Sequence, residues 1–400
     1  MNKNISSLYQ IAKKSSRNII GLMSGTSLDG LDIALCVIEG HGKEMILSLK
    51  KFTCFPYDED FKQEVRKVFS KETIQLQQLT LLNEWIGKKH AAIINATLQQ
   101  WGIKNTDIDC IASHGQTIYH APLSLHGKTA FGNGTLQIGD GDHIAVNTRI
   151  LTISDFRQKH IAAGGEGAPL AAYGDYLLFK ENEADVILLN IGGIANFSYL
   201  PADAGPSDIF SSDVGPGNTM MDALVQQQFP GKYFDEGAFI AKQGTVNESL
   251  LNALLDNDFL SQLLPKTTGP ELFNLAYLEK AKAISGNEQL SVMDTMATLN
   301  RFTAITIVNA IQPLVKENIK CIIYASGGGI HNPMLMQYLD EHLKGTTILS
   351  TREKGIEPDA KEAVLFAILA NECIAGDPES FPSTIKNFPA VTMGKISFPY

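Results

Sequence analysis

The sequence predicts an α/β protein made of two halves, each built on a mixed β-sheet. Short runs rich in Ile, Leu and Val alternate with segments of helical spacing, the pattern of mixed α/β layers. A glycine-bearing hairpin stands near the start of each half, one turning through residues 24–30 and one at Gly192-Gly193. The length, 400 residues, is more than one core ordinarily serves.

In chain order, residues 18–23 and 31–39 are β-prone and flank Ser24-Gly25-Thr26-Ser27-Leu28-Asp29-Gly30. With 45–55 they predict a three-stranded meander. A helix is expected at 58–70, and the spacing of Leu76, Leu79, Leu82 and Ile86 predicts another within 73–101. Residues 107–113, 135–138 and 150–154 read as short strands, each ending in a polar or glycine cluster. A helix at 168–179 precedes the second cycle, a hairpin of 185–191 and 195–200 followed by a strand at 208–212. From Thr219 the pattern is mostly helical, with a long helix at 292–316. A strand at 319–325 runs into Gly327-Gly328-Gly329, and a helix at 333–343 follows. A strand at 346–350 and a helix at 359–373 close the body, and the Pro-rich tail from Gly376 reads as irregular. The seam between halves falls near 155–170, where Gly164-Gly165-Glu166-Gly167-Ala168-Pro169 breaks the periodicity. A cleft between two α/β halves is a preferred ligand site.

Composition narrows the function classes. Thirty-three basic against 43 acidic residues leave a net charge of −10, which disfavours nucleic-acid binding, although a local nest of backbone amides still admits a small anion. Five scattered cysteines with no Cys-x-x-Cys pair indicate neither a disulfide framework nor a zinc knuckle, and suit a reducing compartment. No run is apolar and long enough for a signal-peptide core or a membrane span. A soluble, cytoplasmic protein is expected.

The segment from Gly25 to Asp32 combines glycines that let amides turn toward an anion, hydroxyl donors, and carboxylates able to hold Mg²⁺ through its waters. A plain hairpin loop, with Asp29-Gly30 as a common turn pair, is the competing reading. Asn190-Ile191-Gly192-Gly193-Ile194-Ala195-Asn196 occupies the same place in the second half, so together the two suggest hairpins gripping one polyphosphate across a cleft. Gly327-Gly328-Gly329 lies between a strand and a helix, where a base or ribose can approach the backbone. Asn332 as a helix cap with Pro333 at the first helical position is the plainer reading. Familiar phosphate, serine-hydrolase and zinc-protease motifs are missing.

Asp155, in Ser154-Asp155-Phe156-Arg157, stands at a predicted strand end, suited to a general base, or simply to pairing with Arg157. His114 and Gln116 follow one short strand and Gln137 ends another, positions from which they read sugar hydroxyls or serve the structure. Two acidic turns, Asp213-Val214-Gly215-Pro216-Gly217-Asn218 and Asp235-Glu236-Gly237-Ala238, either cap helices or line a nucleotide site.

Taken together, these segments resemble the anhydro-N-acetylmuramic acid kinase family, within the sugar kinase/actin/heat-shock ATPase superfamily. The resemblance runs over about residues 20–399, and the segments that carry it are 21–32, Ser113-His114-Gly115-Gln116-Thr117, Thr135-Leu136-Gln137-Ile138-Gly139-Asp140, Asp155-Phe156-Arg157, 164–170, 189–196, 213–218 and 327–329. The resemblance implies a two-lobed actin-like ATPase fold with a mixed sheet in each lobe and a central cleft. Residues 1–160, joined by the C-terminal 359–400, would form one lobe and 161–358 the other. It implies an ATP- and Mg²⁺-dependent enzyme of cell-wall recycling that opens a 1,6-anhydro ring with water and phosphorylates the 6-hydroxyl. Its ATP segment maps onto Gly25, Thr26, Ser27, Leu28, Asp29, Gly30, Leu31 and Asp32, and its catalytic aspartate onto Asp155. Gly192, Gly193, Asn196, Gly215, Gly217, Asn218, Gly327, Gly328 and Gly329 complete the expected ATP set. His114, Gln116, Gln137 and Arg157 are the expected sugar contacts, no residue is assigned to a metal, and a homodimer is expected from related enzymes. Departures stand at His160, Glu166, Pro270 and the Asp235-Glu236-Gly237 loop. The competing readings are a sugar kinase acting on a free hydroxyl and a non-catalytic ATP-driven switch.

Overall fold

The computed structural model describes residues 2–168, 170–202, 209–377 and 389–400. Pro169, the predicted strand start at Asp208, and residues 378–388 of the tail lie outside them. The chain divides into two compact units: Met1–Leu178 with Gly355–Tyr400, and Phe179–Ala204 with Asp208–Lys354.

The strands are β1 (Ser16–Ser24), β2 (Gly30–Glu39), β3 (Ile46–Pro56), β4 (Cys110–Ala121), β5 (Gly134–Ile138) and β6 (Thr152–Ser154). There follow β7 (Ala184–Ile191), β8 (Ile194–Leu200), β9 (Phe210–Pro216), β10 (Lys320–Ser326), β11 (Thr346–Ser350) and β12 (Lys395–Ser397). The first unit's sheet has the order β12-β6-β4-β1-β2-β3, with β5 paired to β4, and the second's is β11-β10-β7-β8-β9. Each begins as an antiparallel meander and is extended by two parallel strands: β4 and β6 on β1, β10 and β11 on β7. The same plan is therefore built twice.

Parallel extension needs a covered sheet, and the central strands are buried on both faces. Ile19, Ile20 and Leu22 of β1 and Leu31, Ile33 and Cys36 of β2 are almost wholly inaccessible. The helix Lys361–Ala375 reaches β1 only because residue 21 is glycine: a Cβ there would overlap the carbonyl oxygen of Ala363. The helix Leu76–Trp101 buries Leu82, Ile86, His90, Ile94 and Leu98, a four-residue stripe, and ends at Gly102 with φ 71°. In the second unit Ser291 caps the helix Val292–Ile311, accepting from the Asp294 amide at 3.1 Å. That helix stops short of the expected residue 316 because Pro313 supplies no amide to continue it.

Other departures from the sequence reading bear on the site. β4 does not end at residue 113 but continues to Ala121, kinked where Gly115 takes φ 75° and its pairing with β1 shifts register. Short helices Gly141–Thr148 and Phe156–Ala162 flank β6. The tail returns to the sheet as β12, antiparallel to β6. Helix Lys3–Lys13 precedes β1, in a segment for which the sequence reading gives no element.

Candidate active site

The turn joining β1 to β2 is open. Thr26, Ser27 and Asp29 are exposed, and a Cβ on Gly25 would meet only the Ser27 hydroxyl at 3.5 Å. Leu28 tucks its side chain inward with φ 60°, and Gly30 is required because a Cβ would overlap the Phe55 carbonyl oxygen. Beneath the turn runs a buried polar chain. Gln116 accepts from Ser24 Oγ at 2.5 Å and donates through Nε2 to the Gly25 carbonyl at 3.3 Å. Ser24 Oγ also meets the Tyr57 hydroxyl at 2.8 Å, which in turn lies 2.9 Å from His90 Nε2. Burial pushes the His90 imidazole down to about 4, so it is neutral. Gln116 is wholly buried and hydrogen-bonded to the loop. In this position Gln116 supports the loop.

In the second unit the expected nucleotide segments come together through backbone. The amides of Gly217 and Asn218 donate to the carbonyls of Gly193 and Gly192, each at 2.8 Å, and Asn218 Nδ2 donates to the Ile191 carbonyl at 3.2 Å. Gly327, with φ 82°, stands where a Cβ would lie 2.6 Å from Asn190 Oδ1 and 2.7 Å from the Ile191 carbonyl oxygen. Gly193 and Gly328 are the exposed members of this cluster. Asn196 lies on β8 opposite Asn190, and Gly215 stands beside Thr306. The Asp235 carboxylate accepts from the amides of Ile240 and Ala241, which resolves that loop as a structural cap.

Asp155 follows β6 with φ 55° and ψ 46°, a left-handed conformation that costs an L-residue energy and turns up at functional positions. Its side chain is 25% exposed and pairs with Lys395 Nζ at 2.5 Å. Both residues open onto a cavity of about 370 Å³, whose wall also includes Asn83, Ser113, Gln137 and Asp140. That volume, at the small end for ligand pockets, suits a monosaccharide. The Gln137 amide donates to Thr135 Oγ1 at 2.8 Å, while its Oε1 and Ser113 Oγ are buried without partners among the described residues. Buried polar atoms in that state call for a polar occupant.

His114, which also lines this cavity, pairs with Arg157. Arg157 Nε donates to His114 Nε2 at 3.0 Å, and His114 Nδ1 meets the Gly115 carbonyl at 2.9 Å, which fixes the Nδ1–H tautomer. Burial, then the neighbouring guanidinium, pushes His114 down to about 3. Both ring nitrogens are engaged within the protein, so His114 orients Arg157. Arg157 Nη1 donates to the Gly167 carbonyl at 2.9 Å, and the Gly167 amide donates to His160 Nδ1 at the same distance. His160 therefore ties the glycine-rich loop to the helix that carries Arg157.

Sequence reasoning missed Lys395, Ser113, Asn83 and Asp140. Asp140 was visible in its motif; Lys395 sits in a three-residue strand too short to leave a pattern. Near the first turn, burial raises the Asp32 carboxyl, and the charges of Asp359 and Asp29 raise it further. Glu362 is raised by burial and by Asp32. Such mutually repelling acids suit a cation, although among the described residues no three His, Cys, Asp or Glu side chains converge on one point.

The sequence profile of the anhydro-N-acetylmuramic acid kinase family matches residues 17–399. A protein of that name from Pseudoalteromonas atlantica is 57% identical over the full length of both chains. Another, from Caldanaerobacter subterraneus subsp. tengcongensis, is 36% identical over 98% of this chain and 99% of its own. A solved ROK family glucokinase from Streptomyces griseus, in complex with glucose and AMPPNP, aligns over 88% of this chain and 97% of its own. Its identity is 11% and its TM-score 0.33, too distant to transfer residue roles.

Proposed function

The chain belongs to the anhydro-N-acetylmuramic acid kinase family, and we propose that it opens the 1,6-anhydro ring of that sugar with water and phosphorylates the released 6-oxygen from ATP. The product is N-acetylmuramic acid 6-phosphate, and the setting is cytoplasmic cell-wall recycling by a homodimer. One observation carries the residue assignment. A carboxylate held in left-handed backbone opens onto a polar cavity of sugar size that also holds one acceptor and one hydroxyl without partners among the described residues.

Asp155 takes a proton from water as the water oxygen bonds to the anomeric carbon, opposite the bridging oxygen. The bond from that carbon to the bridge breaks, and its electron pair stays on O6. O6 bonds to the γ-phosphorus, the bond to ADP breaks, and the proton leaves from Asp155. Gln137 Oε1 and Ser113 Oγ bind sugar hydroxyls or the acetamido group. The β1–β2 turn takes the phosphates, and the cluster of Gly193, Asn218 and Gly328 takes the adenosine side. Asp32 is the carboxylate assigned to Mg²⁺, which needs only one or two from protein and supplies charge neutralisation of the phosphates.

The test is Asp155→Asn. Its kcat is expected to fall by on the order of a thousandfold or more, while the Kd for ATP stays within about twofold. A variant that retains appreciable turnover removes Asp155 as the base.

A further inference from the structure

Of the five cysteines, Cys36, Cys110 and Cys321 are buried in the sheets and Cys373 is half-buried, whereas Cys54 is exposed. It stands on β3, the edge strand of the first sheet, where core packing gives no reason for a thiol. Its place in the ladder does. Cys54 is the β3 residue directly opposite Asp32 in the antiparallel β2–β3 register, so the two side chains leave the same face of the sheet. Gly30, two residues before Asp32, shares that face, and a Cβ there would lie 2.8 Å from Cys54 Sγ. The thiol therefore leans into the space left open by the glycine of the β1–β2 turn. From there it donates to the Asp32 carboxylate. The charged groups acting on Asp32, namely Asp29, Asp359 and Glu362, are acids that repel it.

We infer that Cys54 is a positioning residue for Mg²⁺ binding, its thiol holding the Asp32 carboxylate in the orientation that meets the cation beside the nucleotide turn. Like-charged neighbours drive an unrestrained carboxylate outward to water, and a hydrogen bond from the facing strand opposes that turn. A thiol is ordinarily protonated at neutral pH and a carboxylate only accepts, so donor and acceptor are fixed. One thiol occupies one lone pair, which leaves the rest of the carboxylate for the cation. Size matters as well as chemistry. Alanine at residue 54 loses the donor, a longer side chain crowds Gly30, and serine keeps both the donor and the room. The inference rests on the assignment of Asp32 to Mg²⁺ and adds the residue that holds this ligand in place.

The experiment measures the Kd of Mn²⁺, standing in for Mg²⁺, for the protein–ADP complex through the enhancement of water-proton relaxation, which needs no turnover. The full chain is compared as wild type, Cys54→Ala, Cys54→Ser and Asp32→Asn. For Cys54→Ala the Mn²⁺ Kd is expected to rise about fivefold, the share of a weak neutral donor on a charged acceptor. Its metal-free Kd for ADP, its KM for sugar and its urea midpoint are expected to stay where they are, because residue 54 is exposed and touches neither ligand. Cys54→Ser is expected to recover most of the loss. If Asp32→Asn weakens Mn²⁺ binding but Cys54→Ala leaves it unchanged, or if Cys54→Ser binds no better than Cys54→Ala, the inference is overturned. Asp32→Asn that binds Mn²⁺ as the wild type does would instead remove Asp32 from the metal, a distinguishable result that sinks the assignment beneath the inference.

Discussion

The two meanders of this chain have the same strand order but secure their first turns by different means. At the β1–β2 turn the backbone is held from below by side chains: Gln116, Ser24, Tyr57 and His90 form one buried polar chain, and the turn itself stays open. At the β7–β8 turn the support is mainly backbone against backbone, with the Gly217 and Asn218 amides bonded to the Gly193 and Gly192 carbonyls, one side-chain bond from Asn218 Nδ2 to the Ile191 carbonyl, and no room for any side chain at residue 217. Topology alone does not decide how a loop is made rigid. An open turn leaves its amides and hydroxyls for a ligand, whereas a closed one needs glycine for its own packing.

The contrast is broken most severely at residue 217. Gly217→Val places a branched side chain into the Gly192 carbonyl, so unfolding by urea is expected to show a loss of about 3 kcal/mol, together with weaker ATP binding. Full stability in that variant would mean the second loop is not held by close packing. Gln116→Leu removes the link between Ser24 Oγ and the Gly25 carbonyl. A loss of about 2 kcal/mol is expected, with a raised KM for ATP and an unmoved KM for sugar. The reverse pattern of KM values would return Gln116 to the sugar site.

Acid sharpens the comparison further. Burial depresses His90 and His160 to about 4 and His114 to about 3, and all three belong to the first unit. Their unfolded forms protonate near 6.5, so below that pH the unfolded state binds more protons and the first unit loses stability. The loss continues until the folded pKa values are reached, by up to about 1.4 kcal/mol per pH unit for each histidine. In the second unit Asp222 is raised to about 6 by burial and Asp235, so its folded state binds more protons between pH 6 and 4 and gains. Asp32, Glu362 and Glu372, all raised, oppose the loss in the first unit. His90→Gln isolates one share: its stability is expected to decline less than the wild type's from pH 6.5 to 4. Parallel curves would show that His90 is not buried neutral.

The smallest effect on stability is expected at Gly25→Val, within about 0.5 kcal/mol, because only the Ser27 hydroxyl lies nearby. Its ATP affinity is nevertheless expected to fall, since a branched side chain stands where phosphate approaches. Unchanged ATP affinity would remove the open turn from the nucleotide site.

How much of this was legible follows from the same physics. The two meanders and the glycine clusters announce themselves through Ile/Leu/Val runs and turn chemistry, which are local, whereas the residues around Asp155 leave its role open and only the family resemblance assigns it as the base. Sequence places His114 and Gln116 as sugar contacts beyond a strand expected to stop at residue 113, which hides the bonds they make within the protein. A kink at Gly115 instead carries the strand onward, turning Gln116 beneath the first loop and His114 toward Arg157. Lys395 was invisible because its position depends on a pairing with β6 across some 240 residues of chain. No periodicity within three residues encodes such a partner.

The reaction itself is tested most directly by running it in ¹⁸O-water with ATP and anhydro-N-acetylmuramic acid. The product is expected to carry the label on its anomeric hydroxyl and the phosphate on an unlabelled 6-oxygen. Label between C6 and phosphorus, phosphate on another hydroxyl of an unopened ring, or ATP turnover that ignores the sugar would contradict it.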